Sequence, residues 1–87
     1  MLPIELQPAA RRFLETLPPK QFRQVARKVF ALADDPATPD SRLLKGYPFR
    51  RATAGEYRII YDLTERNLRI VLIGKRNDDE VYRRLRG

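Results

Sequence analysis

The sequence of 87 residues contains no cysteine, no histidine and no tryptophan. Without cysteine there is no disulfide, no thiol nucleophile and no thiolate metal site. Without histidine the commonest general acid/base at neutral pH and the commonest metal ligand are both missing. Any chemistry must therefore rest on Arg, Lys, Tyr and carboxylates, and neither a metal nor a cofactor is expected. Asp34, Asp35 and Asp40 come closest to an acidic metal cluster, but Pro36 and Pro39 between them favour a solvated loop. Gly46, Gly55 and Gly74 sit at turns and strand ends, and none belongs to a phosphate-cradling motif. No apolar run approaches the ~18 residues of a membrane span. The start Met1-Leu2-Pro3-Ile4-Glu5 has no basic segment before an apolar run. No signal peptide is expected, and the expected location is the cytoplasm.

What is present is positive charge: 18 Lys and Arg against 11 Asp and Glu, a net +7. A hydrophobic fraction of 43% beside 33% charged residues fits a folded globular chain. A chain of this mass folds as a single domain, residues 1–87, burying roughly 64% of its unfolded surface in one modest core. The basic excess points to a polyanionic partner, either nucleic acid, a ribosome or an acidic protein. The plainer alternative is a solvated basic surface.

Leu2, Ile4 and Leu6 alternate with Pro3, Glu5 and Gln7, the period of a strand, and Pro3 suits an edge. Pro8 suits the first turn of a helix carrying Ala10, Phe13, Leu14 and Leu17 on one face. Pro18-Pro19 ends that helix and opens another, whose stripe is Phe22, Val25, Ala26, Val29, Leu32 and Ala33. Asp34-Asp35-Pro36 stops it, and the short link between the helices predicts an antiparallel hairpin. Residues 34–48 read as loop, with Leu43 and Leu44 pinning it to the core. Strands are expected at Phe49 to Thr53, Tyr57 to Leu63 and Leu68 to Gly74. Ile70-Val71-Leu72-Ile73 is apolar on both faces, which marks a central strand. Glu80 to Leu85 fits a helical turn or a short strand. The fold class is α+β, β-α-α-β-β-β(-β): a helical hairpin on a small antiparallel sheet. One sheet face covers the helices, and the other is left for solvent or a ligand.

Arg51 and Arg58 flank a hairpin turn, Arg76 follows the next strand, and Tyr82 comes six residues later. If the strands pair in sequence order, these groups converge near one rim. Guanidinium groups hold phosphate bidentately and stabilise developing charge. Tyr stacks on a base or hydrogen-bonds a phosphate. Each residue also has a structural reading: Arg76 as a partner of Asp78 or Asp79, Tyr82 as an anchor for the tail, Tyr57 and Tyr61 as core aromatics. Lys45, Arg50, Lys75, Arg83 and Arg84 are further candidates for contact with RNA or the ribosome.

The segments LLKGYPFRRATAGEYRIIYDL and IVLIGKRNDDEVYRRL, with this element order and length, resemble the RelE/ParE toxins of toxin–antitoxin systems. The resemblance covers nearly the whole chain, and GEYRIIY and GKRNDDEVY are its most specific parts. It implies a toxin held inactive by an antitoxin that wraps around it. RelE-like members enter the ribosomal A site and cut mRNA with the RNA's own 2′-hydroxyl as nucleophile, without metal; ParE-like members inhibit DNA gyrase. By resemblance Arg51 falls where a catalytic Lys lies, Arg58 and Arg76 match family arginines, and Tyr82 matches the C-terminal Tyr. Phe49 departs from the pattern, which has another Lys there. Arg cannot replace a Lys base, so Lys45, Lys75, Glu56 and Tyr82 remain open as proton acceptors. The expected activity is that of a ribosome-dependent endoribonuclease, with a ParE-like gyrase inhibitor as the alternative. The expected partners are an acidic antitoxin, the ribosome and mRNA, with no membrane and no small molecule.

Overall fold

In the computed structural model, which describes residues 1–75 and 83–85, both helices begin at prolines. Strand β1 (Ile4–Leu6) leads into α1 (Pro8–Glu15) and α2 (Pro19–Asp34). Then follow β2 (Arg42–Leu43), β3 (Arg50–Ala54), β4 (Tyr57–Leu63) and β5 (Leu68–Lys75). Residues 83–85 are helical. Proline in the first helical turn gives up an N–H that has no helical partner there. Helix α2 stops at Asp35, whose backbone turns extended before Pro36. The Asp35 carboxylate accepts the Ala37 N–H at 3.1 Å, starting the loop.

The sheet runs in the order β1-β5-β4-β3-β2. Strands β2 to β5 form an antiparallel meander, as sequence order predicts. The expectation of a wholly antiparallel sheet is corrected at β1, which pairs parallel to β5 through Ile4↔Leu68 and Leu6↔Ile70. The physical reason lies in β5. With β4 on one edge, the other edge of β5 still has backbone N–H and C=O groups to pair, and the helical hairpin supplies the crossover that brings β1 there in parallel. The additional strand is β2, inside the stretch read as loop, and its two residues are too few for a periodic signal.

A bulge sits in the β4–β5 pairing. Ile60 faces Leu72 while Tyr61 faces Ile70, which leaves Val71 as the extra residue. As a result Ile70 and Ile73 both join the helix-side core, while Val71 and Leu72 both face the other way. The helix-side core packs Leu14, Val25, Val29 and Leu32 onto Ile59, Tyr61, Leu68, Ile70 and Ile73. The Phe13 ring meets Tyr57 edge-on, with centroids 5.9 Å apart. Tyr57 and Tyr61 are thus core residues.

The far face is not simply open, as the alternation suggested. Ile60 is fully buried there with Leu44 and Leu72. Tyr47, Phe49, Val71 and Leu85 pack around them. The 44–49 loop and the helical turn 83–85 therefore cover part of this face.

Two polar knots tie the 35–41 loop to the sheet. The Tyr61 hydroxyl donates to the Pro36 carbonyl at 2.6 Å and shares a hydrogen bond with Ser41 Oγ at 2.5 Å. Arg50 Nε donates to the same Ser41 oxygen at 3.2 Å. Beside them, Asp40 Oδ1 accepts from Lys28 Nζ at 2.7 Å and Thr38 Oγ1 at 2.8 Å. Its Oδ2 accepts the Thr53 N–H at 3.0 Å, so one carboxylate joins α2, the loop and β3. Partial burial raises the Asp40 pKa, but the bonds from Lys28, Thr53 and Thr38 and the Lys28 charge outweigh it. The net result lies well below the usual carboxylate range.

Asp40→Ala is expected to cost about 1–2 kcal/mol, because it strands the Lys28 ammonium and the Thr53 N–H. For a domain of this size that is roughly a 5–15 °C fall in Tm. A carboxyl whose folded pKa is depressed stabilises above its unfolded pKa, about 3.9, and loses that contribution as pH falls toward the folded value. Urea unfolding of wild type and Asp40→Asn should show a full stability gap at pH 7 that narrows below about pH 4.

Candidate nucleic-acid interface

Strand β3 sorts its two arginines by alternation. Ala52 and Ala54 are buried in the helix-side core, so Arg50 shares that side, where it reaches Ser41. Arg51 and Thr53 take the far face. The register Arg51↔Ile60 and Thr53↔Arg58 puts Arg51 and Arg58 diagonally across β3 and β4. Diagonal neighbours on one face lie about 7–8 Å apart. Both are half-buried, and the residue opposite Arg58 on β5 is Gly74, which has no side chain to crowd it.

Arg42 pairs with Arg51 from β2, placing a third guanidinium at this edge. Carbonyls of Pro39 and Ser41 accept from its Nη1 at 2.7 and 2.9 Å. Sequence reading missed it, because a lone Arg in a proline-rich loop carries no periodic signal.

The other expected residues are more scattered. Lys45 is exposed in the loop that leads to β3. Lys75 is exposed at the end of β5, opposite the core residue Tyr57. Arg83 and Arg84 are exposed on the helical turn whose Leu85 packs on the far-face cluster. Arg50 lies on the opposite side of the sheet from Arg51 and Arg58. Arg76 and Tyr82 fall outside the described residues.

Toward β1 the same face turns to paired charge. Arg69 grips Asp62 on β4, with Nε donating to Oδ1 at 2.8 Å and Nη2 to Oδ2. Glu5 on β1 stands across from Arg69. The Asp62 hydrogen bonds and charge, with a smaller contribution from Glu5, raise the Arg69 pKa against desolvation. The far face thus carries Arg51, Arg58 and Arg42 at one side, an apolar middle, and an Asp62–Arg69–Glu5 row of net charge −1 at the other. Such a face can hold the phosphates of a strand at one side without a uniform positive field.

The family described as ParE toxin of type II toxin–antitoxin system, parDE, matches residues 4–80. The chain belongs to this family of RelE/ParE toxins. Solved structures show the toxin's fold. The RelBE2 toxin–antitoxin complex from Mycobacterium tuberculosis is similar at 24% identity and TM-score 0.75, over 86% of this chain and 98% of that one. The archaeal RelE–RelB complex from Pyrococcus horikoshii OT3 is similar at 21% and 0.76, over 88% and 97%. The isolated RelE toxin of E. coli is similar at 17% and 0.76, over 98% and 95%. No curated protein matches the sequence. Among the described residues of the toxin, no helix is long and apolar enough to cross a membrane.

Proposed function

We propose that this toxin is a ribosome-dependent endoribonuclease that cuts mRNA and so inhibits translation. The observation that carries the reading is the diagonal placement of Arg51 and Arg58 on one face, set by the register of β3 and β4. In the proposed step the RNA 2′-hydroxyl loses its proton and its oxygen bonds to the adjacent phosphorus. The bond from phosphorus to the 5′-oxygen breaks, and that oxygen takes up a proton. The pentacoordinate phosphate gains negative charge, and two fixed guanidinium groups stabilise it more than they stabilise the ground state. Arg76 and Tyr82 complete the site by resemblance, with Tyr82 orienting or protonating the leaving oxygen. Lys45, Arg83 and Arg84 contact the strand or the ribosome as positive charges around the site, while Lys75, register-paired with the helix-side Tyr57, meets the ribosome from the strand end. Arg50, on the helix side, acts through the loop that backs the site.

The proposed partner in the resting state is an acidic antitoxin. The mycobacterial and archaeal relatives were solved as toxin–antitoxin complexes, and the net charge of +7 suits an acidic segment laid over the arginines. A second reading, gyrase inhibition, is favoured by the match of residues 4–80 to the ParE toxin family. Regulated expression in bacteria separates the two. Nuclease action predicts an early fall in labelled amino-acid incorporation with replication continuing. Filamentation and DNA damage ahead of any fall in protein synthesis would instead establish the gyrase reading.

A further inference from the structure

On the far face, one pleat repeat from Arg51, a groove of about 470 Å³ opens between α1 and the sheet. Phe49, Arg69 and Val71 line it from the sheet side, and Gln7, Pro8, Ala9 and Arg12 line it from the start of α1. Phe49 is half-buried, with the rest of its ring available to the groove. Arg12 is exposed on α1. The Arg69 guanidinium is held in place by Asp62.

We infer that this groove is a stacking subsite for one nucleobase of single-stranded RNA, next to the phosphate held at Arg51 and Arg58. The inference rests on the ribonuclease reading and extends it to how the strand is gripped. The volume falls in the usual range for small-ligand clefts, about 300–1,000 Å³. Phe49 and Arg51 project from the same face of adjoining pleats, about 6.5–7 Å apart along the chain. A base on Phe49 therefore lies beside a phosphate at Arg51 within one continuous strand. An aromatic lining suits a flat π-system, and bases of every kind stack. The Arg69 charge is already met by Asp62, so it offers a flat guanidinium surface rather than a phosphate clamp. Arg12 supplies the charge for the next phosphate. The groove thus binds a base by its face and adds affinity without reading its hydrogen-bonding edge.

The test uses a fluorescent single-stranded RNA hexamer and the full chain, with affinity measured by anisotropy across salt concentrations. Phe49→Leu keeps apolar volume in the Leu44–Ile60–Leu72 cluster while removing the ring, and Phe49→Trp keeps a ring. Thermal unfolding confirms that each variant is folded. Phe49→Leu should weaken binding by about fivefold to a hundredfold, and Phe49→Trp should restore it. The slope of affinity against salt should stay at its wild-type value for both, because a stacked base releases no counterion. Arg51→Ala should reduce that slope by about 0.7.

Wild-type affinity in Phe49→Leu, with Arg51→Ala and Arg58→Ala still weakened, overturns the subsite and leaves the RNA reading standing. Loss of affinity for a poly-glutamate peptide in Phe49→Leu, with RNA affinity unchanged, also overturns it and assigns the groove to a protein partner. No binding of the hexamer by the wild-type toxin overturns the subsite, whereas the ribosome-dependent nuclease reading stands or falls on cleavage of mRNA on programmed ribosomes.

Discussion

Arg58→Ala is expected to slow mRNA cleavage on the ribosome by about 10²- to 10³-fold, the usual cost of removing one preorganised charge stabiliser. Arg58 is the second residue of β4, laddered between its register pairs Thr53 and Gly74, so strand pairing on both sides fixes where its side chain begins. Arg58→Lys should recover only part of the rate, since a point charge on a flexible stem cannot match a bidentate fork. Arg51→Ala should show a similar or smaller loss. The double variant should lose less than the product of the single effects, because both groups act on one phosphate. Stability should fall by about 1 kcal/mol or less in each single variant, so Tm should drop by no more than roughly 4–8 °C. A loss of rate accompanied by loss of the folded state would make Arg58 a structural residue.

The largest expected effect on stability lies at Ile60. Alternation along β4 puts Ile60 on the same side as Arg58 and Asp62, which in isolation reads as the solvent side. An exposed Ile replaced by Ala would change stability by about 0.5 kcal/mol or less. In the structure Ile60 has no exposed surface and packs with Leu44 and Leu72. Ile60→Ala is therefore expected to cost about 2–5 kcal/mol, a large fraction of the roughly 5–15 kcal/mol that holds a small domain folded. Urea denaturation measures it directly. The same substitution should also loosen the 44–49 loop and the 83–85 turn, so Leu85→Ala should show a smaller loss of the same kind.

The helices and the β3–β5 meander were legible because each carries a clean period. The prolines at 8, 18 and 19 mark helix starts and stops, Tyr57 to Leu63 alternates, and Ile70 to Ile73 is apolar on both sides. What stayed hidden depends on distant pairing. The parallel direction of β1 follows from a crossover, which no local period encodes. The bulge at Val71 breaks the alternation by one residue, and so placed Leu72 beside Ile60 in a second apolar cluster. Strand β2 is two residues long. At the site, adjacency of Arg51 and Arg58 followed from a hairpin read correctly, and the separation of Arg50 from them followed from the pleat. Arg42 joined them only through the register of β2. The role of Phe49 was also hidden: as a departure from a family pattern it says what is missing, whereas its place in the groove says what is present.

The most direct measurement of the central claim is primer extension on a defined mRNA, programmed on purified ribosomes with a vacant A site and incubated with the purified toxin. A ribosome-dependent nuclease should give cuts within the A-site codon, fewer or no cuts in the same mRNA without ribosomes, and loss of the cuts with Arg58→Ala. Intact mRNA under those conditions, with purified gyrase inhibited by the same protein, would contradict it.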